Sequence, residues 1–333
     1  MNRSKQAGMA TKTVVALLVG LTFASVHFVE AQQPKRVPKI GYLSTGSATT
    51  DDPRIEAFRQ GLRDLGHVEG KNINIDFRYA EGVAERLPEL AEELVRLNVD
   101  VILTPGTLAV QAAKQATTTI PIIFPGVADP VAFGFVASLA RPGGNITGLT
   151  NYSPELSGKR VELLKEALPR ITRVAVLRDP RQAPDSFKET QIAGQSLALK
   201  LQSLEIRNAA DVETAFSAMK KERADAFITL PHAVVTFHRK QILALAEKGR
   251  LPSTHGDRQW VEAGGLMSYG PDTIAIYRRA ASYVDKILKG VKPADLPVEQ
   301  PTKFEFVINL KTSKQIGVTI LPNVLARADK VIK

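Results

Sequence analysis

"VDVILTPGTLAVQAAKQATTTIPIIFPGVADPV", residues 99–131, is the stretch that decides the fold. Its ends, VDVILT and IPIIFP, are short apolar runs of the kind that form strands covered on both faces of a parallel sheet. Between them, LAVQAAKQAT repeats its apolar residues at helical spacing. Each run closes on a Pro-Gly turn, with Thr107 just beyond the first and Asp129 just beyond the second. Ligands of open parallel sheets bind outside the carboxyl ends of the strands. These turns are therefore either plain tight turns or the floor of a pocket.

The same alternation runs outward in both directions. KIGYLS (39–44) reads as a strand, PRIEAFRQGLRDLG (53–66) as a helix with a Gly stop, NINIDFRYA (72–80) as a strand and AERLPELAEELVRLN (84–98) as a helix. Downstream, VAFGFVASLA (131–140) is predicted helical, and RPGGNITGLT (141–150) leads into another strand. The pattern then restarts. Helices are predicted over 157–171, 186–199, 211–223 and 238–250, alternating with strands at 173–179, 200–208, 224–230 and 251–256. This order gives an α/β fold class: two doubly wound parallel-sheet lobes, meeting near residue 150. The tail adds a strand (AGGLMSYGP, 263–271), a long helix (272–290), a strand with a following helix (296–317) and a closing segment, LPNVLARAD. These elements are best used as crossovers, so the lobes are joined by a multi-crossover hinge. The expected division is 38–149 plus about 268–298 for the N-terminal lobe. The C-terminal lobe then takes 150–267 plus about 299–333.

Composition narrows the function. The 333 residues suit two α/β lobes, and 44% apolar with 23% charged residues is ordinary for a globular chain. With no cysteine, disulfides, thiolate metal sites and a cysteine nucleophile are excluded. Arg3, Lys5 and Lys12 precede the apolar run TVVALLVGLTFASV, and VEA at 29–31 offers small side chains at cleavage spacing. Residues 1–31 thus read as a signal peptide, with an uncleaved anchor as the alternative, and the mature protein is expected in a periplasm. Its loss takes three bases and one acid from a net charge of +10, leaving +8. The remaining bases are scattered, without Lys/Arg blocks or interleaved aromatics, so they read as solvated surface and no nucleic-acid partner is expected.

Candidate ligand contacts come from the strand ends. In the first lobe they are Ser44 and Thr45 after the first strand, Thr107 at a helix start, Gly126 and Asp129. A helix start leaves unpaired N–H groups and a partial positive charge that suit an anion. Ser, Thr and Asp also serve as plain N-caps, which is the competing account of these residues. In the second lobe His232 and Asp257 follow strands, and Tyr152 and Tyr269 are aromatic residues near strand ends. No histidine pair at metal-ligand spacing occurs, so no metal or other cofactor is expected. No G-x-S-x-G elbow, Walker A or G-x-G-x-x-G helix opening occurs either, which removes the usual signatures of nucleophilic and nucleotide chemistry.

Four stretches carry a family resemblance: IPIIFPGVADPVAFGFVASLARPGGNITGLT (120–150), VEAGGLMSYGPD (261–272), YRRAASYVDKILKGVKPADLPVEQPTKFEFVINLKTSKQIGVTI (277–320) and VLARADKVI (324–332). Together they resemble the uncharacterised ABC-transporter substrate-binding proteins, a family with tryptophan- and tyrosine-binding members. The resemblance implies a type I periplasmic-binding-protein fold with three crossovers, a small-molecule ligand clamped between the lobes, and a permease and ATPase as partner chains. The loops LPHAVVTFH (230–238) and THGDRQW (254–260) depart from the family's pattern, which places His232, Asp257 and Trp260 where specificity would differ. The expectation is a monomeric, non-catalytic periplasmic receptor of an ABC importer. Its ligand would be a hydrophobic or aromatic amino acid or a related carboxylate. Two alternatives stand beside it: an exported hydrolase using Asp129, Asp257 and a histidine as acid and base, and an extracytoplasmic sensor module.

Overall fold

Strand β1 (Lys39–Ser44) sits in a five-stranded sheet with β2 (Asn74–Tyr79), β3 (Val101–Leu103), β4 (Ile122–Val127) and β5 (Ile146–Thr150), in the order β2-β1-β3-β4-β5 and parallel throughout. The computed structural model describes residues 36–151, 154–181 and 184–333; the signal segment and Tyr152 lie outside them. Period-2 alternation divides the sheet's side chains between two cores. Ile40 and Tyr42 of β1 face one core, and Leu43 faces the other. Helix α1 (Ala48–Asp64) packs Ile55, Phe58 and Leu62 into the first core, while α2 (Leu87–Arg96) and α3 (Thr107–Ala116) cover the opposite face. Each such side chain, fully withdrawn from water, contributes about 1.5–3 kcal/mol.

Helix α1 begins five residues before its expected start at Pro53. The cause is a capping box: the Ser47 hydroxyl accepts from the Thr50 N–H at 3.2 Å, and the Thr50 hydroxyl accepts from the Ser47 N–H at 2.8 Å. That extra turn carries Asp51 into the helix. The helix expected over 131–140 does not form. Gly134 takes a left-handed φ of 64° and ends a turn whose Phe135 N–H donates to the Pro130 carbonyl at 2.8 Å. Phe135 and Val136 are buried all the same, so core packing by an irregular segment imitated helical periodicity.

The second sheet is seven-stranded: β6 (Arg173–Arg178), β7 (Lys200–Glu205), β8 (Ala226–Thr229), β9 (Ser253–His255), β10 (Met267–Pro271), β11 (Phe304–Asn309) and β12 (Lys330–Ile332), in the order β12-β11-β10-β9-β8-β6-β7. The pairing of β10 with β11 is antiparallel, so β11 and β12 form a reversed edge on an otherwise parallel sheet. One face is covered by α4 (Pro154–Ala167) and α5 (Pro184–Ser196). The other is covered by α6 (Ala209–Lys221) and α8 (Arg239–Gly249), the latter preceded by a short α7 (Ala233–Phe237).

The chain crosses between the sheets three times: after β5, after β10 and before β11. Strand β10 belongs to the second sheet, so the switch expected at about residue 268 falls within a strand and the crossing comes after Pro271. Helix α10 (Thr273–Leu288) then packs on α1 in the first lobe. Gly61 is the contact point, since a Cβ there would stand 2.3 Å from the Arg278 carbonyl oxygen. On the way back, residues 296–299 run beside β5. The Thr150 N–H donates to the Glu299 carbonyl at 2.8 Å, and the Thr147 hydroxyl donates to the Leu296 carbonyl at 2.6 Å. The returning segment is therefore tied to β5 by backbone and side-chain hydrogen bonds. Among the described residues no helix is long and apolar enough to cross a membrane.

Candidate functional site

The carboxyl-terminal edges of the two sheets face one another around a cavity of about 160 Å³. An engineered cavity of about 150 Å³ admits one benzene ring, so the space suits a small solute. The first lobe supplies Ser44, Asp51, Arg54, Gly106, Thr107 and Gly126, and the second supplies Ser157, Arg160, His232, Asp257 and Trp260.

Of the residues expected from the sequence, Ser44, Thr107, Gly126, His232 and Asp257 line this cavity. Thr45, Asp129 and Tyr269 do not. Thr45 is buried behind the strand end, where its carbonyl accepts the Gly82 N–H at 2.7 Å. Asp129 closes its own turn, accepting the N–H groups of Val131 and Ala132 at 3.2 and 2.9 Å. The Tyr269 ring belongs to the second lobe's core against Phe304 and Phe306, because strand alternation turns it away from the cleft. Asp129 therefore does not join Asp257 and a histidine in one acid–base set.

Ser44 is engaged rather than free. Its hydroxyl donates to Asp51 Oδ2 at 2.5 Å and accepts the Gly46 N–H at 2.9 Å. Asp51 Oδ2 also accepts from the Tyr42 hydroxyl at 2.9 Å. Burial first, then the Asp51 carboxylate, holds the Tyr42 phenol well above its usual range, so it stays a donor. Thr107 opens α3 behind Gly106, whose φ of 78° suits glycine, and no side chain caps this helix. Its first-turn N–H groups are thus left to another acceptor.

A part-buried ion pair spans the lobes. Arg54 Nη2 of α1 lies 3.1 Å from Asp257 Oδ2, which also accepts from the Thr273 hydroxyl at 2.8 Å. The other Asp257 oxygen caps α9 (Arg258–Glu262) through the Gln259 N–H at 2.7 Å. Burial works against the Arg54 charge, but the Asp257 carboxylate and the Tyr277 phenol outweigh it and raise its pKa. Further out, Arg181 of the second lobe stands 3.5 Å from Glu85 of the first. A Cβ on Gly82 would stand 2.5 Å from the Phe237 ring, so the lobes also touch there. In the described conformation the cavity is bounded from both sides.

The second lobe adds buried titratable groups. Burial pushes the pKa of His232 down to about 4, with Asp179 pulling the other way and Arg181 reinforcing the fall, so the ring is neutral at pH 7. Its Nδ1 lies 3.3 Å from Asp179 Oδ2 without meeting hydrogen-bond geometry. His255 is fully buried. Its two nitrogens are hydrogen-bonded to the Thr229 and Ser253 hydroxyls at 2.9 and 2.8 Å, and burial lowers its pKa to about 3. The indole of Trp260 stacks on it at 4.4 Å and 8°, which fixes one aromatic wall of the cavity. Among the described residues no cluster of three or more histidines and carboxylates could hold a metal.

The sequence reading missed Asp51, Arg54 and Arg160. Asp51 depends on the early start of α1, whose Ser-x-x-Thr cap differs from the usual Ser-x-x-Glu signal, and Arg54 lies in the expected helix with its partner Asp257 far along the chain. Arg160 had a readable mark: it shares a helical stripe with Leu163, Leu164 and Ala167, all buried. A cation on an apolar stripe needs a reason to be there.

Residues 46–332 match the family model of the ABC transporter substrate binding protein. The chain belongs to that family. Its members are extracytoplasmic receptors that bind small molecules and work with an ABC permease and ATPase. This substrate-binding protein is 26% identical over 287 residues, 85% of its length and 82% of the other's, to a tyrosine-binding protein of Clostridioides difficile. It is also similar to two solved structures. One, a conserved domain protein of Vibrio cholerae, has 30% identity and a TM-score of 0.82, covering 89% of this chain and 100% of the other. The other, the ABC domain of a Streptococcus pneumonia protein in complex with L-Trp, has 26% identity and a TM-score of 0.80, covering 89% of this chain and 99% of the other. Their fold, two α/β lobes of the type I periplasmic binding proteins, is the one described above.

Proposed function

We propose that this substrate-binding protein is exported with removal of residues 1–31, captures a small solute in the periplasm and hands it to an ABC importer without catalysis. The observation that carries this reading is the cavity walled by strand ends of both lobes. A ligand that touches both walls stabilises the closed state selectively. Moving an equilibrium from 1:99 to 99:1 takes about 5.5 kcal/mol of differential affinity, and contacts from one lobe alone would supply none of it.

The ligand class is an aromatic or hydrophobic amino acid or a related carboxylate. The tyrosine-binding relative and the L-Trp-bound structure support it, as do the fixed Trp260 wall and the uncapped start of α3. Gly126 and Thr107 belong to the first-lobe wall of the same site, and His232 and Asp257 to the second-lobe wall. Protein purified without unfolding is expected to carry one small occupant in native mass spectrometry. Adding ligand to the emptied protein should reduce its radius of gyration and change the fluorescence of Trp260, the chain's single tryptophan. Stoichiometric binding with neither response would sink the closing-lobe reading.

A further inference from the structure

Arg160 is 2% exposed and lines the cavity from α4. Its Nε donates to the Tyr269 carbonyl at 2.7 Å and its Nη1 to the Ser157 hydroxyl at 3.3 Å. Both partners are neutral, and among the described residues no carboxylate forms an ion pair with the guanidinium. Asp257 is paired with Arg54 and Asp51 accepts two hydroxyls, so the lining carboxylates are committed elsewhere. The Nη2 end lies over Gly256, where a Cβ would stand 3.1 Å from it. Glycine at 256 thus leaves the end of the fork uncovered on the cavity side. His232, a further titratable group of this wall, is neutral and brings no negative charge to Arg160.

A buried cation without an opposite charge is costly, and such groups are kept where a partner arrives. From this geometry we infer that Arg160 is the second lobe's receptor for an anionic group of the ligand, the carboxylate in the case of an amino acid. This assignment rests on the reading of the cavity as a solute site and adds the polarity of the solute within it. Burial, only partly offset by Tyr269 and Asp257, lowers the Arg160 pKa to about 10; the residue is still charged at neutral pH and gains from an arriving carboxylate. Because Arg160 sits in the second lobe, the charge contact forms only on closure. It ties the lobe motion to the ligand's acid group.

The test uses four probes: L-tyrosine, L-tryptophan and their carboxamides, which keep ring and ammonium but lack the carboxylate. Affinities are measured by calorimetry on the wild type, Arg160→Gln and Arg160→Lys. Arg160→Gln should weaken the two acids by about 30-fold or more, the loss typical of removing one member of a buried charge pair. It should change the amides by less than about 3-fold. Arg160→Lys, which keeps the charge but not the fork, should fall between for the acids. Equal losses for acid and amide would assign Arg160 a structural role and overturn the inference, with the cavity reading intact; so would unchanged acid binding. If the wild type binds none of the four, the aromatic amino-acid class fails. Native mass spectrometry then decides Arg160: an acidic occupant present in wild type and lost in Arg160→Gln upholds the role, and a neutral or equally retained occupant overturns it.

Discussion

The two lobes build their halves of the cavity from different chemistry. Alongside Asp51 and Arg54 of α1, the first lobe uses hydroxyls, an uncapped helix start and glycine turns at strand ends: Ser44, Thr107, Gly106 and Gly126. The second lobe uses charge and rings carried mainly on helices: Arg160 on α4, Asp257 capping α9, and Trp260 stacked on His255. A wall of short hydroxyls and backbone groups recognises polar atoms at low cost and tolerates an open cleft. A wall of buried charge and fixed aromatics is fully satisfied only when something fills the space before it. The asymmetry suits a receptor that binds on one side first and closes with the other.

The largest effect expected from breaking this arrangement comes at the residue that joins the halves. Asp257→Ala removes the partner of Arg54, the acceptor of the Thr273 hydroxyl and the cap of α9 at once. Leaving a buried arginine unpaired and a helix uncapped should cost about 4 kcal/mol in urea unfolding. A loss below about 1 kcal/mol would mean that the pair is solvated and that the lobes are held by other contacts.

As pH falls from about 6.5 toward 4, the buried histidines of the second lobe should be the first groups to cost stability. His232 has its pKa lowered to about 4, against about 6.5 in an unfolded chain. Between these values the unfolded state holds a proton that the folded state refuses, so stability is complete above about pH 6.5 and declines as pH falls toward 4. The loss attributable to His232 should be about 3 kcal/mol by the lower end of that window. His255, lowered to about 3, steepens the fall. Denaturant titrations of wild type and His232→Gln at pH 7 and pH 5 measure the contribution as the difference in slope. Parallel curves for the two proteins would show that this histidine is solvated.

Legibility followed the same division. Strands and most of the helix order were plain, because near-continuous apolar runs and helical stripes repeat along the chain; the irregular segment over 131–140 was not, since its buried Phe135 and Val136 imitate a stripe. A sheet-edge rule also picks out Ser44, Thr107 and Gly126 from sequence position alone, and all three line the cavity. Asp129 and Tyr269 failed that rule for local reasons: one side chain closes its own turn and the other alternates into the core. Arg54 and Arg160 lie on helices, where partners come from residues 203 and 109 positions away, and no window of sequence contains them. The reversed edge at β11 was hidden for the same reason, since strand direction is set by which crossover precedes it.

The first lobe's dependence on α1 is sharper in a smaller experiment. Ser47→Ala removes one half of the capping box and should cost about 1 kcal/mol, the usual worth of such a cap. Its informative consequence lies beyond stability. Asp51 stands in the turn that the box creates, and Arg54 follows on the same helix. If fraying of that turn loosens both, ligand affinity should fall by several-fold while the acid sensitivity owed to His232 stays unchanged. A variant that loses stability without losing affinity would show that Asp51 is held by Tyr42 and Ser44 alone, which would make the strand end, and not the helix start, the organiser of the first wall.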